Sequence, residues 1–298
     1  IGEGLAEFFL AKYDSDGILL WVETGGGVAR DRGTGVYAAA DGNVYVTGYF
    51  TGEAWFQDDT LVSQGEKDIF LAKYTPDGNL IWIEQAGGTG EDKSKDVAAD
   101  ANGNVVITGQ YEDDADFGGQ TLENANAFAN CFVVKYDSSG NVMWMQNGNG
   151  AHLTVGTGVD LDQNGNVYAV GFFHGTMNFC ENVLVTQTLS SGIFVTKFTP
   201  DGNCEWAKRG GSDLEDAAQD ISIGRDGHAY VTGYFSGDAL FGTLTLDYTG
   251  YNDVFLAKYA PDGNCVWVKK AGHNLLDMGS DVATVSYTHL TLPTNGCV

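Results

Sequence analysis

Apolar residues gather along this chain in short runs, each closed by a turn rich in Gly, Asn, Asp or Pro. "DIFLAKY" (Asp68–Tyr74) and "NLIWIE" (Asn79–Glu84) are typical, and "TPDG" separates them. In a strand, successive side chains point to opposite faces. Leu80 and Trp82 then share one face, and Ile81 and Ile83 the other. Both faces are apolar, so each sheet must be covered on both sides. Another run, "NVVITG" (Asn104–Gly109), follows an Asn-Gly turn and is rich in β-branched residues. No stretch carries the 3.6-residue period of an amphipathic helix. The pattern predicts an all-β chain of antiparallel hairpins.

The hairpins repeat. "KYTPDGNLIW" (Lys73–Trp82) recurs as "KYDSDGILLW", "KYDSSGNVMW", "KFTPDGNCEW" and "KYAPDGNCVW". Its tryptophans, Trp21, Trp82, Trp144, Trp206 and Trp267, step by 61, 62, 62 and 61 residues, as do Lys12, Lys73, Lys135, Lys197 and Lys258. Four further runs keep the beat, at Asn43–Phe50, Asn104–Tyr111, Asn166–Phe173 and His228–Phe235, as do Phe56, Phe117, Phe179 and Phe241. A fixed period marks one unit stacked repeatedly. Four-stranded antiparallel sheets stacked face to face are the blades of a β-propeller. Pairing the hairpins in order predicts four complete blades near 33–85, 94–147, 156–209 and 218–270. The hairpin Phe8–Val22 and the strand start Gly279–Thr284 are left over, so the expected ring is incomplete. The tryptophans are expected to fill the gaps between blades. The lysines, set in apolar strands, each need a polar partner.

The motifs "GNVYVTGYF" and "DIFLAKYTPDGNLIW", with the "AGG" after Trp82 and Trp267, resemble the repeats of β-propeller repeat proteins of the SBBP type, over residues 7–284. The resemblance implies a large exported or cell-surface bacterial protein and is nearly silent on activity. After Ala283-Thr284 the beat stops. Val285–Thr294 resembles a transposase adapter of sequencing libraries translated in one frame. The expectation is therefore a fragment, with residues 1–284 one propeller and 285–298 a foreign tail.

Charge narrows the partners. The 298 residues carry a formal net charge of -25, which repels nucleic acid and anionic lipid. No apolar run is long enough to span a bilayer. A protein or a glycan is the expected partner. Of five cysteines, Cys204 and Cys265 share one repeat slot, while Cys131 and Cys180 have no counterparts, so no paired disulfide framework is expected.

Chemistry is sparse. The histidines share no repeat position, and no nucleophile–base set stands out. Only four arginines exist, Arg30, Arg32, Arg209 and Arg225, which weakens a sialidase-type reading, since those propellers clamp a carboxylate with several convergent arginines. No catalytic residue is assigned. "DLDQNGN" opens like a calcium loop at Asp160, Asp162 and Asn164, but Gly171 stands where the closing glutamate belongs. No cofactor is expected from the sequence, with calcium the possibility this run raises. Asp31, Asp92, Asp216 and Asp277 share one repeat position, with Thr154 in the third repeat. They precede the innermost strands and predict an acidic channel mouth. The functional expectation is a non-enzymatic binding or scaffold module; the alternative is a propeller-type polysaccharide hydrolase or lyase.

Overall fold

The computed structural model describes residues 7–179, 181–186 and 190–285. All regular structure among them is antiparallel strand, in five sheets. The second sheet, in chain order, runs Arg32–Ala38, Val44–Phe50, Asp68–Tyr74 and Leu80–Gly88 from inside outward. The third is Lys93–Ala99, Val105–Tyr111, Asn130–Tyr136 and Val142–Gly150. The fourth is Thr154–Leu161, Val167–His174, Ser191–Phe198 and Cys204–Gly211, and the fifth Ala217–Ile223, Ala229–Phe235, Asp253–Tyr259 and Cys265–Ala271. The first holds only Phe8–Tyr13 and Leu19–Gly27 of this pattern. The architecture is propeller-like, and the described strands do not close a ring. None of the described residues forms a helix long and apolar enough to cross a membrane.

The four-stranded blade needs one correction. Between its second and third strands each repeat inserts a short hairpin, and that hairpin pairs with the outer strand of the preceding sheet. Ala115–Phe117 and Gln120–Leu122 lie between strands of the third sheet, yet Ala115 pairs with Gly88 and Phe117 with Ala86 of the second. The same exchange puts Glu53–Phe56 and Asp59–Val62 on the first sheet, Thr176–Phe179 and Asn182–Val185 on the third, and Ala239–Phe241 and Leu244–Leu246 on the fourth. Three sheets are thus six-stranded and two four-stranded. The period-marking phenylalanines sit in these hairpins. Phe56, Phe117 and Phe241 are fully buried, and their rings meet Phe70, Phe132 and Phe255 at centroid distances of 4.9, 5.1 and 5.0 Å.

The repeated motif joins sheet to sheet. Trp82 Nε1 and Lys73 Nζ both donate to the Ser138 carbonyl, at 3.1 and 3.1 Å, in the hairpin turn of the next sheet. Trp21 and Lys12 converge likewise on Pro76 O at 2.9 and 2.8 Å. Trp206 and Lys197 do so on Pro261 O at 3.0 and 3.3 Å. Trp144 reaches Pro200 O at 2.8 Å, while Lys135 turns to Gly165 O at 3.2 Å with Asp100 beside it. These contacts supply the partners that buried cations require. Lys73, Lys135 and Lys197 are 8%, 1% and 6% exposed, because a carbonyl across the joint, joined at Lys197 by the Glu205 carboxylate at 2.7 Å, replaces water. Trp206 is buried, and Trp21, Trp82 and Trp144 are half-buried with their N–H edges toward the neighbouring turn. The turn glycine allows the approach. At Gly202, φ is +83°, and a Cβ would stand 2.6 Å from Trp144 Cγ.

Val285–Val298, read from the sequence as a foreign tail, lies outside the described residues apart from Val285.

Candidate functional site

The inner strands starting at Arg32, Lys93 and Ala217 directly follow Asp31, Asp92 and Asp216, whereas no strand follows Asp277 among the described residues. Each of these carboxylates turns onto backbone N–H groups. Asp92 Oδ2 accepts from Gly88 at 2.7 Å, and its Oδ1 accepts from Glu112 at 3.0 Å. Asp31 holds Gly27 and Thr51 in the same way, and Asp216 holds Ser212 and Ser236. These three acids are buried; Asp277 is half-buried and accepts from His273 N at 2.9 Å. Thr154, in the third repeat, takes the N–H of Cys131 at 2.7 Å. Burial pushes the Asp92 carboxyl up to about 7, against the pull of its two N–H donors.

The residues that line the mouth are the ones after these acids. A cleft of about 580 Å³ has on its walls Arg32 and Thr34, Lys93 and Lys95, Val155 and Thr157, and Gln219. These are alternate positions of four successive inner strands, which places the cleft where those strands face one another. Tyr49, Gln110 and Phe172, one repeat position of the second strands, complete it, with Lys67 at the rim. Lys67 and Lys93 form ion pairs with Glu91. Arg32 and Lys95 have no acidic partner among the described residues. Burial, then the charges of Lys93 and Arg32, hold the Lys95 ammonium below the ordinary lysine range. In a chain of net charge -25, this mouth is cationic.

Deeper between the inner strands the sign reverses. Asp96 Oδ2 accepts from Val159 N at 2.8 Å, Asp160 Oδ2 from Ile223 N at 2.7 Å and Asp220 Oδ2 from Val282 N at 2.8 Å. Asp96 and Asp160 thus bridge to the following inner strand, and Asp220 to Val282 in the stretch Gly279–Thr284, which the sequence predicts as a strand start but which forms no strand. Thr34 and Thr157 hydroxyls add bonds to Ser94 O and Ala218 O, at 3.0 and 2.9 Å. Burial raises Asp96 and Asp160 to about 6 each, and Asp220 is raised by burial and by the neighbouring Asp281 and Asp96.

The calcium-like run divides between two tasks. Asp160 belongs to that inner-strand bridge. Asp162 Oδ1 accepts from the backbones of Asn164 and Asn166 at 2.9 and 3.0 Å, an Asx turn closing a hairpin. Among the described residues, no group of three or more His, Cys, Asp or Glu side chains is arranged to hold a metal ion. Cys204 is disulfide-bonded, a pairing the sequence reading did not anticipate, whereas Cys131 and Cys265 are free thiols.

No protein-family model matches the chain. It is 22% identical over 351 aligned positions, 94% of its own length, to an uncharacterized WD repeat-containing protein of Acanthamoeba polyphaga mimivirus. It is 26% identical over 216 positions, 69% of its length, to the regulatory protein FlaEY of Caulobacter vibrioides. The chain spans 25% and 22% of those relatives. A solved Bacteroides caccae protein of unknown function aligns over 91% of this chain and 92% of its own, with a TM-score of 0.41 and 11% identity. The repeated antiparallel sheets and the WD-repeat relative are consistent with a β-propeller-like repeat fold.

Proposed function

We propose that the chain is a non-enzymatic binding and scaffold module of an exported or cell-surface bacterial protein, and that its ligand is an acidic glycan seated in the cleft between the inner strands. The observation that carries this reading is the pair Arg32 and Lys95, two cations without an acidic partner in a strongly acidic molecule. Cations facing an open cleft favour carboxylate groups. Tyr49 and Phe172 beside them offer rings for a sugar face. The resemblance to exported SBBP-type repeats supports the location, as does the disulfide at Cys204, since disulfides persist in oxidising compartments.

Calorimetric titration with uronate oligosaccharides tests it. Binding is expected, weakened by salt and lost in Arg32→Gln/Lys95→Met, while neutral oligosaccharides of equal length do not bind. Equal binding by the double variant would remove the cleft from the reading. The alternative, a polysaccharide hydrolase or lyase, rests on Lys95, whose depressed ammonium suits proton abstraction. Accumulation of shortened or unsaturated uronate products in the same samples would favour it.

No metal enters this reading. Asp31, Asp92 and Asp216 already accept two backbone N–H bonds each. Thermal unfolding is expected to stay unchanged on adding calcium, whereas a calcium ligand set would raise it by mass action.

A further inference from the structure

We propose that Asp68 and Asp92 share one proton in the folded protein and so form a pH-operated latch beneath the cationic rim of the cleft. Both carboxyls are fully buried. They converge on one glycine: a Cβ placed on Gly87 would stand 2.8 Å from Asp92 Oδ2 and 3.3 Å from Asp68 Oδ1. Asp92 is bonded at both oxygens, by the N–H groups of Gly88 and Glu112. Asp68 is not. Its Oδ2 accepts from Gln64 N at 3.0 Å and from Gln85 Nε2 at 2.6 Å, while its buried Oδ1 has no hydrogen-bond partner among the described residues. A buried carboxylate oxygen without a donor is costly, and a second carboxylate beside it raises the cost. One proton, carried on Asp68 Oδ1 toward Asp92, removes the second charge and turns that oxygen into a donor.

Three other repeats fill the same place differently. In the third, Asn130 stands at the position of Asp68 and donates to Asn124 and Asn149, and Thr154 replaces the second acid. In the fourth, Gly192 stands there, and a Cβ on it would lie 3.4 Å from Arg209 Nε. A guanidinium thus takes the place of the first acid, and Asp216 keeps that of the second. In the fifth, Asp253 and Asp277 meet at Gly272, with the Lys270 ammonium 3.9 Å from Asp253. Gln85, Arg209 and Lys270 share one repeat position. The second repeat therefore sets a neutral side chain before two fully buried acids. Around them, Lys67 and Lys93 are engaged by Glu91, while Asp113 and Asp114 turn to Thr89 and Asn124. Burial first, with the charges of Asp68 and Glu112 beside it, raises Asp92 against its two N–H donors, and burial raises Asp68. Asp92 N also donates to Lys67 O at 2.8 Å, so the pair ties residues 88–92 to the strand that starts at Asp68. The rim bearing Lys67, Glu91 and Lys93 hangs on that tie. Loss of the proton sets two like charges across it and loosens it. The latch does not depend on what the cleft binds.

Amide shifts followed from pH 8 to pH 5 in two-dimensional NMR spectra test the pair. Gly88 and Glu112 donate to Asp92, and Gln64 to Asp68. One shared proton should therefore move all three amides with a single midpoint near neutral pH. Asp68→Asn installs the residue that the third repeat carries at this position. In it the midpoint at Gly88 and Glu112 should fall toward the ordinary carboxylate range, because the like charge is gone. The comparison of wild-type midpoints stands without any variant. Separate midpoints for Gln64 and Gly88, or no transition in this range, would overturn the proposal. So would an Asp68→Asn variant whose Gly88 midpoint equals that of the wild type, since burial alone would then hold the proton. Amides that move on adding sodium or calcium chloride at pH 8, and then no longer respond to pH, would place a metal cation there instead of the proton.

Discussion

The indole of Trp82 and the carbonyl of Ser138, 56 residues apart, form a 3.1 Å hydrogen bond across the gap between two sheets. Lys73 shares that carbonyl. One backbone oxygen thus ties down the two most conspicuous side chains of the repeat. The turn sequence matters because it aims that oxygen at the preceding sheet.

Removing an indole should open the joint. In Trp144→Ala the lost packing leaves a cavity beside Phe198, whose ring lies 5.7 Å from the indole. The expected loss is about 3–5 kcal/mol, measured by urea unfolding. Trp144→Phe keeps a ring and loses the bond to Pro200 O, and should cost less. A Trp144→Ala variant as stable as wild type would remove the tryptophan from the joint.

Two turn glycines separate backbone strain from contact. Gly202 and Gly17 have φ of +83° and +78°. An alanine at either meets the left-handed penalty, about 1–2 kcal/mol. Only at Gly202 would the new methyl also strike an indole, Trp144 Cγ at 2.6 Å, whereas at Gly17 the space is open. Gly202→Ala should therefore destabilise clearly more than Gly17→Ala in dilute solution. Equal losses would mean that the turns are set by φ alone.

The sequence made the strand runs, the turn and the period legible because each is a local pattern repeated at a fixed step. The hairpin exchange was hidden. "ADF" at Ala115–Phe117 reads as a strand whichever sheet it joins, since pairing partners between repeats leave no mark on alternation. The cationic mouth was hidden for a related reason. Thr34, Lys95, Thr157 and Gln219 occupy one repeat position but share no charge, so a search for recurring residues passes over Lys95. Arg32 and Lys93 directly follow Asp31 and Asp92. That adjacency was visible, but only the fold turns the acid inward onto backbone and leaves the cation facing the cleft.

Acidification should stabilise the molecule before it harms it. Asp92 is raised to about 7, Asp96 and Asp160 to about 6, by burial first. A carboxyl whose folded pKa lies above its unfolded value, near 4, binds its proton more tightly in the folded state. Stability from these groups therefore grows as pH falls from about 7 toward about 4, and is lost as pH rises through the folded values. Relief of the net charge of -25 acts in the same direction. The melting temperature should be higher at pH 5 than at pH 8, and Asp96→Asn should flatten part of that slope. A melting temperature that falls steadily from pH 8 to pH 5 would contradict the assignment.

The exchanged hairpins should couple neighbouring sheets more strongly than side-chain packing alone. Phe117 is fully buried in the hairpin that lies on the outer strand of the second sheet, yet the chain on both sides of it belongs to the third. Phe117→Ala removes the ring that packs on Phe132, at a cost of about 3–5 kcal/mol. Its effect should be visible in two places. Amides of the outer strand at Ala86–Gly88, which face the hairpin, should lose hydrogen-exchange protection along with those around Phe132. A fold without exchange predicts otherwise: protection would fall only in the third sheet, where Phe117 stands in the sequence, and the second would keep its protection. Amide exchange resolved by residue distinguishes the two outcomes, because local opening is read strand by strand. Loss confined to the third sheet would return the hairpin to its own repeat and restore the simple four-stranded blade.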